Sequence, residues 1–106
     1  MTIMARLLVL WGTPEDPDFF EHHYREVHVP LVKKLPGMRR YTLSRDTRSV
    51  RGDLYYRIAE VDFDDITALQ RAFASPEGRA VASDANTLAS TAAAEVRSMI
   101  YELEDL

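Results

Sequence analysis

Three stretches of this chain alternate with the period of a β-strand, yet each is apolar on both sides of the alternation. From Ala5 to Gly12, Leu7, Val9 and Trp11 share one side while Leu8 and Leu10 share the other. From Leu54 to Phe63, Tyr55, Ala59, Val61 and Phe63 stand opposite Leu54, Tyr56 and Ile58. From Glu95 to Leu103, Val96 and Ile100 stand opposite Met99, Tyr101 and Leu103. An antiparallel sheet with one wet face alternates cleanly between apolar and polar. A sheet built from these segments needs cover on both faces.

The segments between them set the order. Asp16-Pro17 reads as an N-cap and first helical residue, because Asp accepts orphan amide bonds and Pro lacks only a donor that has no partner there. That helix is expected to run to about Lys34 and to stop at Leu35-Pro36-Gly37. Met38 to Arg45 is a further strand, joined to the one from Leu54 by a polar hairpin loop over Asp46–Asp53. Asp64 is expected to cap a helix over Asp65–Ala74, and Ser75-Pro76-Glu77 to open another reaching about Asp84. The Ala-rich piece Ala85–Ala94 reads as loop or frayed helix.

The resulting order is β-α-β-β-α-β, which predicts an α+β, ferredoxin-like fold with a four-stranded antiparallel sheet. The 106 residues make one domain. Its helices can cover one sheet face only, so a second copy of the chain is expected on the other, in a homodimer packed sheet to sheet.

Composition removes several functions. Thirteen basic residues against seventeen acidic give a net charge of −4, so no nucleic-acid partner is expected. The chain has no cysteine, which excludes disulfides, thiolate nucleophiles and cysteine metal sites. None of its four glycines falls in a G-x-G-x-x-G spacing, and no nucleophile elbow is legible. The apolar run Leu7–Trp11 is too short for a secretory signal, and no stretch approaches the ~20 residues of a membrane span. The expectation is a cytoplasmic protein without membrane contact.

Chemistry concentrates in the first helix. At ~100° per residue, Phe20, Tyr24, Val27, Leu31 and Leu35 form one apolar stripe, with His28 at its margin. Pro30 cannot donate to the Glu26 carbonyl and should distort the helix beside His28. A titratable ring beside a helix irregularity is a site candidate, although a hydrogen-bonded structural histidine fits the same pattern. His22 should point to solvent and His23 to the opposite flank. Adjacent helical residues do not face one way, so no metal site is expected there.

The run Pro14-Glu15-Asp16-Pro17-Asp18-Phe19, followed by Tyr24-Arg25-Glu26-Val27-His28-Val29-Pro30-Leu31 and by Lys34-Leu35-Pro36-Gly37-Met38-Arg39-Arg40-Tyr41, resembles the EthD-domain signature. Ala72–Gly78 and Asp84 resemble the second helical region of the same family. The resemblance spans Leu7 to Leu103 and implies a dimeric α/β barrel with a pocket between helices and sheet. The wider superfamily includes lactone isomerases, cofactor-free quinone-forming monooxygenases, polyketide cyclases and haem-degrading enzymes. His28 and Tyr41 match a first-helix histidine and second-strand tyrosine that face the pocket in methylmuconolactone isomerases, whose cysteine has no counterpart here.

His28 and Tyr41 are therefore the candidate catalytic pair, sharing an internal cavity with Tyr24. Trp11, Tyr24, Leu31 and Tyr55 are candidate substrate-lining residues, although plain packing is the stronger expectation for Trp11, as it is for Phe63. Arg39, Arg40, Arg45, Arg48, Arg51 and Arg57 make the hairpin basic, and a solvated loop explains them better than an anion site. The expected function is metal- and nucleotide-independent proton transfer on a hydrophobic or aromatic metabolite of catabolism or secondary metabolism, with no cofactor. A non-catalytic accessory protein for a partner oxygenase is the alternative, and haem binding through His28 a lesser one.

Overall fold

A computed structural model describes residues 3–106. Strands β1 (Ala5–Trp11), β2 (Met38–Leu43), β3 (Arg57–Phe63) and β4 (Val96–Glu102) form an antiparallel sheet in the order β2-β3-β1-β4. Helix α1 (Pro17–His23) continues through a wide π turn over Tyr24–His28 into α2 (Val29–Val32). Helices α3 (Ile66–Ala74) and α4 (Pro76–Thr91) form the second helical unit. This is the ferredoxin-like arrangement that the order of the segments predicts.

Register assigns the two sheet faces. Leu7 stands opposite Val61 and Val9 opposite Ala59, and these pairs, with Trp11 and Phe63, lie under the helices. On the reverse face Leu8 stands opposite Glu60, and Leu10 opposite Ile58. One end of that face is charged rather than apolar: Arg6 donates to both oxygens of Asp62, at 2.7 and 3.0 Å. A buried carboxylate requires such a partner. Leu8, Leu10, Ile58, Met99 and Tyr101 add apolar surface to this face, interrupted by Glu60 opposite Leu8 and Arg97 opposite Leu10, and Met99 is 49% exposed.

Three expected boundaries move. Asp65, not Asp64, caps α3, its side chain accepting from the Ala68 amide at 2.7 Å. Asp64 instead accepts two bonds from Arg39, each 2.8 Å. Leu54–Tyr56 precede β3 as irregular chain, tied by the Tyr56 amide donating to the Trp11 carbonyl at 2.7 Å. The largest change is in the Ala-rich piece: α4 runs on to Thr91 and buries Leu88 within a cluster with Trp11, Phe20 and Tyr24. Alanine has the highest helix propensity, and the buried leucine anchors the extension.

Ser75 turns the corner between α3 and α4, its hydroxyl accepting from the Gly78 amide at 3.1 Å. The two helices approach so closely that a Cβ at Gly78 would overlap the Ala72 carbonyl and Phe73 Cα. These are backbone atoms, which cannot step aside as a flexible side chain could. Gly78→Ala is therefore expected to lose about 1–3 kcal/mol of stability. That should appear as a clear fall in the thermal midpoint, and an unchanged midpoint would show that the corner yields easily.

Candidate active site

The first helix fails to close normally just before Pro30. The Val29 amide donates to the Tyr24 carbonyl, five residues back, so this turn is wider than an α turn. Four-residue steps drift by ~40° each around an α-helix, but a π turn uses less rotation per residue and cancels the drift. Phe20, Tyr24, His28, Val32 and Leu35 consequently form the buried stripe. His28 thus lies inside the stripe, 5% exposed, rather than at its margin, while Val27 turns outward and is 40% exposed.

The same turn brings His23 and His28 to one flank, where an α-helix would separate them by ~140°. His28 Nδ1 donates to Asp84 Oδ2 and His23 Nε2 donates to Asp84 Oδ1, each at 2.9 Å. His23 therefore does not sit on the opposite flank as expected, whereas His22 is exposed as expected. Asp84, in the middle of α4, orients both rings. Each imidazole meets a different carboxylate oxygen, and no cluster of three or more His, Asp or Glu able to hold a metal occurs among the described residues.

With Nδ1–H committed to Asp84, the neutral His28 ring carries its lone pair on Nε2, which has no protein hydrogen-bond partner among the described residues. Burial lowers the His28 pKa, and the hydrogen bond and charge of Asp84 offset this in part. On β2, Tyr41 stands opposite Val61, and its hydroxyl shares a 2.8 Å hydrogen bond with that of Tyr24. Burial pushes both phenols above their ordinary pKa, so they serve as neutral hydrogen-bonding groups.

His28, Tyr24 and Tyr41 meet at an inner cavity of about 30 Å³, beside Trp11 and Phe73. That is room for a water-sized group. His28 and Trp11 also wall an outer hollow of about 240 Å³ that opens between Ala82, Ala85 and Asn86 of α4 and Val96 and Ser98 of β4. At the inner cavity the Tyr41 hydroxyl bonds Tyr24, and His28 bonds Asp84. Trp11 is fully buried and contributes to both walls. Leu31 and Tyr55 line neither. Leu31 edges a surface hollow with Lys34 and Pro76, and Tyr55 a hairpin hollow with Arg48 and Arg51.

The lowered His28 pKa fixes a pH dependence. Protonation is easier in the unfolded chain, so stability is greatest above the ordinary histidine value of ~6.5 and declines as pH falls through it. His28→Gln should flatten that decline in thermal midpoints measured from pH 8 to 5.5. Equal slopes for the two proteins would contradict the burial effect.

The fold and this cluster define a small ferredoxin-like protein with a carboxylate-oriented histidine at the wall of a largely apolar pocket. The EthD domain family model matches residues 13–92. The chain belongs to the EthD family. It is 34% identical over 88 residues to an uncharacterized 11.0 kDa protein of the thcB–thcC intergenic region of Rhodococcus erythropolis, covering 82% of this chain and 85% of that one. An EthD family protein from Bacillus halodurans has a crystal structure that superposes with a TM-score of 0.84 at 34% identity, covering 95% of this chain and 99% of its own. SnoaB, a cofactor-independent oxygenase from Streptomyces nogalater, shares the fold with a TM-score of 0.67 at 18% identity, covering 97% and 95%. No helix among the described residues is long and apolar enough to cross a membrane.

Proposed function

We propose that the chain is a metal- and nucleotide-independent enzyme that moves a proton on a hydrophobic or aromatic metabolite, in isomerase, cyclase or monooxygenase-like chemistry. The observation that carries this reading is the Asp84–His28 pair, in which His28 lines the hollow and holds Nδ1 on Asp84. Asp84 holds the Nδ1–H tautomer, so Nε2 accepts a proton from a substrate O–H or C–H and returns it to another atom. The Tyr24–Tyr41 pair, neutral and one bond short of saturation, stabilises the oxygen on which charge develops. An oxygenase of the same fold that is described as cofactor-independent adds support. Haem fits poorly: a hollow of about 240 Å³ would have to widen greatly to admit a porphyrin beside His28.

The apolar reverse face of the sheet supports a homodimer of the dimeric α/β-barrel kind, and catabolism or secondary metabolism in the cytoplasm is the expected setting. The test uses a panel of neutral phenols and cyclic ketones in deuterated buffer, read as deuterium incorporation and oxygen uptake. The wild-type protein should turn over at least one, and His28→Phe should lower that rate about 100-fold or more. Ligand binding with no turnover in either protein would favour an accessory protein for a partner oxygenase.

A further inference from the structure

We infer that the pocket selects an uncharged, ring-sized molecule carrying a hydrogen-bond-accepting oxygen, and that it rejects carboxylates. This rests on the proposed enzymatic reading and names its substrate class. The walls of the inner cavity and outer hollow contain no Lys, Arg, Asp or Glu. The arginines of the chain lie elsewhere: Arg57 is bound to Glu21, Arg39 to Asp64, and Arg48 and Arg51 line the hairpin hollow. Arg25 is the cation that reaches both phenols electrostatically, but it lines neither wall and is exposed beside Glu21. An anion entering the pocket would therefore lose its hydration without a direct cation contact, and it would approach the Asp84 carboxylate behind His28.

The polar inventory of the walls also has a direction. The buried indole N–H of Trp11 has no hydrogen-bond partner among the described residues, an arrangement that costs free energy until an acceptor arrives. The two phenols use one of their two hydrogens on each other, which leaves one O–H to give. Trp11, Tyr24, Tyr41 and His28 all line the inner cavity, so the indole N–H, the spare phenol O–H and the His28 acceptor belong to residues of one wall. A carbonyl or ether oxygen meets the donors without bringing charge. The outer hollow, about 240 Å³ and otherwise mostly apolar, holds the remainder of a single-ring skeleton.

The chain has one tryptophan, so its indole N–H gives a single resonance that reports this site directly. The ¹⁵N-labelled full chain is titrated at pH 7.5 with acetophenone, ethylbenzene and benzoate, three probes of nearly one shape. Acetophenone should shift the indole resonance and bind about tenfold or more tighter than either of the others. Benzoate binding as tightly as acetophenone, ethylbenzene binding as tightly, or an indole resonance unmoved up to the solubility of acetophenone would each overturn the inference. Because binding is read and not turnover, these failures are separate from failure of the enzymatic reading. That reading falls only if His28→Phe leaves catalysis unchanged or no turnover is found.

Discussion

Asp84→Ala is expected to slow proton transfer by about 10²–10⁴-fold, the range seen when the group that orients a catalytic histidine is removed. The buried His28 Nδ1–H would then face no acceptor, and the ring would lose the preference that leaves Nε2 unprotonated. His23 would lose its partner at the same time, because one carboxylate serves both rings. A structural cost of about 1–3 kcal/mol should accompany the kinetic one, as for any buried polar group left unpaired. Asp84→Asn separates the two effects. Its carbonyl oxygen can still accept from His28, while its amide must face His23, which is partly exposed and free to turn. The asparagine variant should therefore retain more activity than the alanine variant. Imidazole ¹⁵N spectra check the cause: one His28 tautomer in the wild type and a mixture in Asp84→Ala. A rate within threefold of wild type would reduce Asp84 to a tie between helices.

The second large effect concerns the reverse face of the sheet. Leu10 and Ile58 stand opposite each other there, with Leu8 and the exposed Met99 beside them. If a second copy covers this face, Leu10→Glu buries a carboxylate there with only the exposed Arg97 opposite it, at a cost of up to about 3–5 kcal/mol. Ile58→Glu should behave alike, whereas Arg48→Glu, in the exposed hairpin loop, should change stability by no more than about 0.5 kcal/mol. Sedimentation of the wild type should report about twice 12.1 kDa, and of Leu10→Glu the single chain. A stable wild-type monomer, with equal melting for all three variants, would remove the basis for the dimer.

Strand order and sheet faces are legible in the sequence because both depend on local alternation, which β1 and β3 carry plainly. The meeting of His28, Tyr24 and Tyr41 at one cavity is legible for a similar reason: a stripe of helical residues must dock on the strand that follows. Asp84 is not legible as a site residue. It lies 56 residues from His28, and with Ala85–Ala94 taken as loop or frayed helix it falls at a helix end instead of mid-helix. Alanine propensity and the buried Leu88 together carry the helix through this piece. The His23–His28 spacing was invisible for a different cause. Periodicity at 100° per residue assumes an unbroken α-helix, and Pro30 signals the break without giving its form.

The wide turn at Tyr24–His28 holds one residue more than an α turn, and it lets histidines five apart in sequence face the same way. A chain shortened by one residue among Arg25, Glu26 and Val27 could wind the same stretch as regular helix, with better local hydrogen bonding. The two histidines would then stand four residues apart, only ~40° from one line, so the regular helix could still present both to Asp84. Loss of one residue among relatives should thus be tolerated in this turn, as length variation is in the hairpin, because both helix forms keep the histidines on one flank. A helix defect of this sort persists only where a contact from elsewhere in the fold outweighs the local preference, and here that contact is the carboxylate of α4.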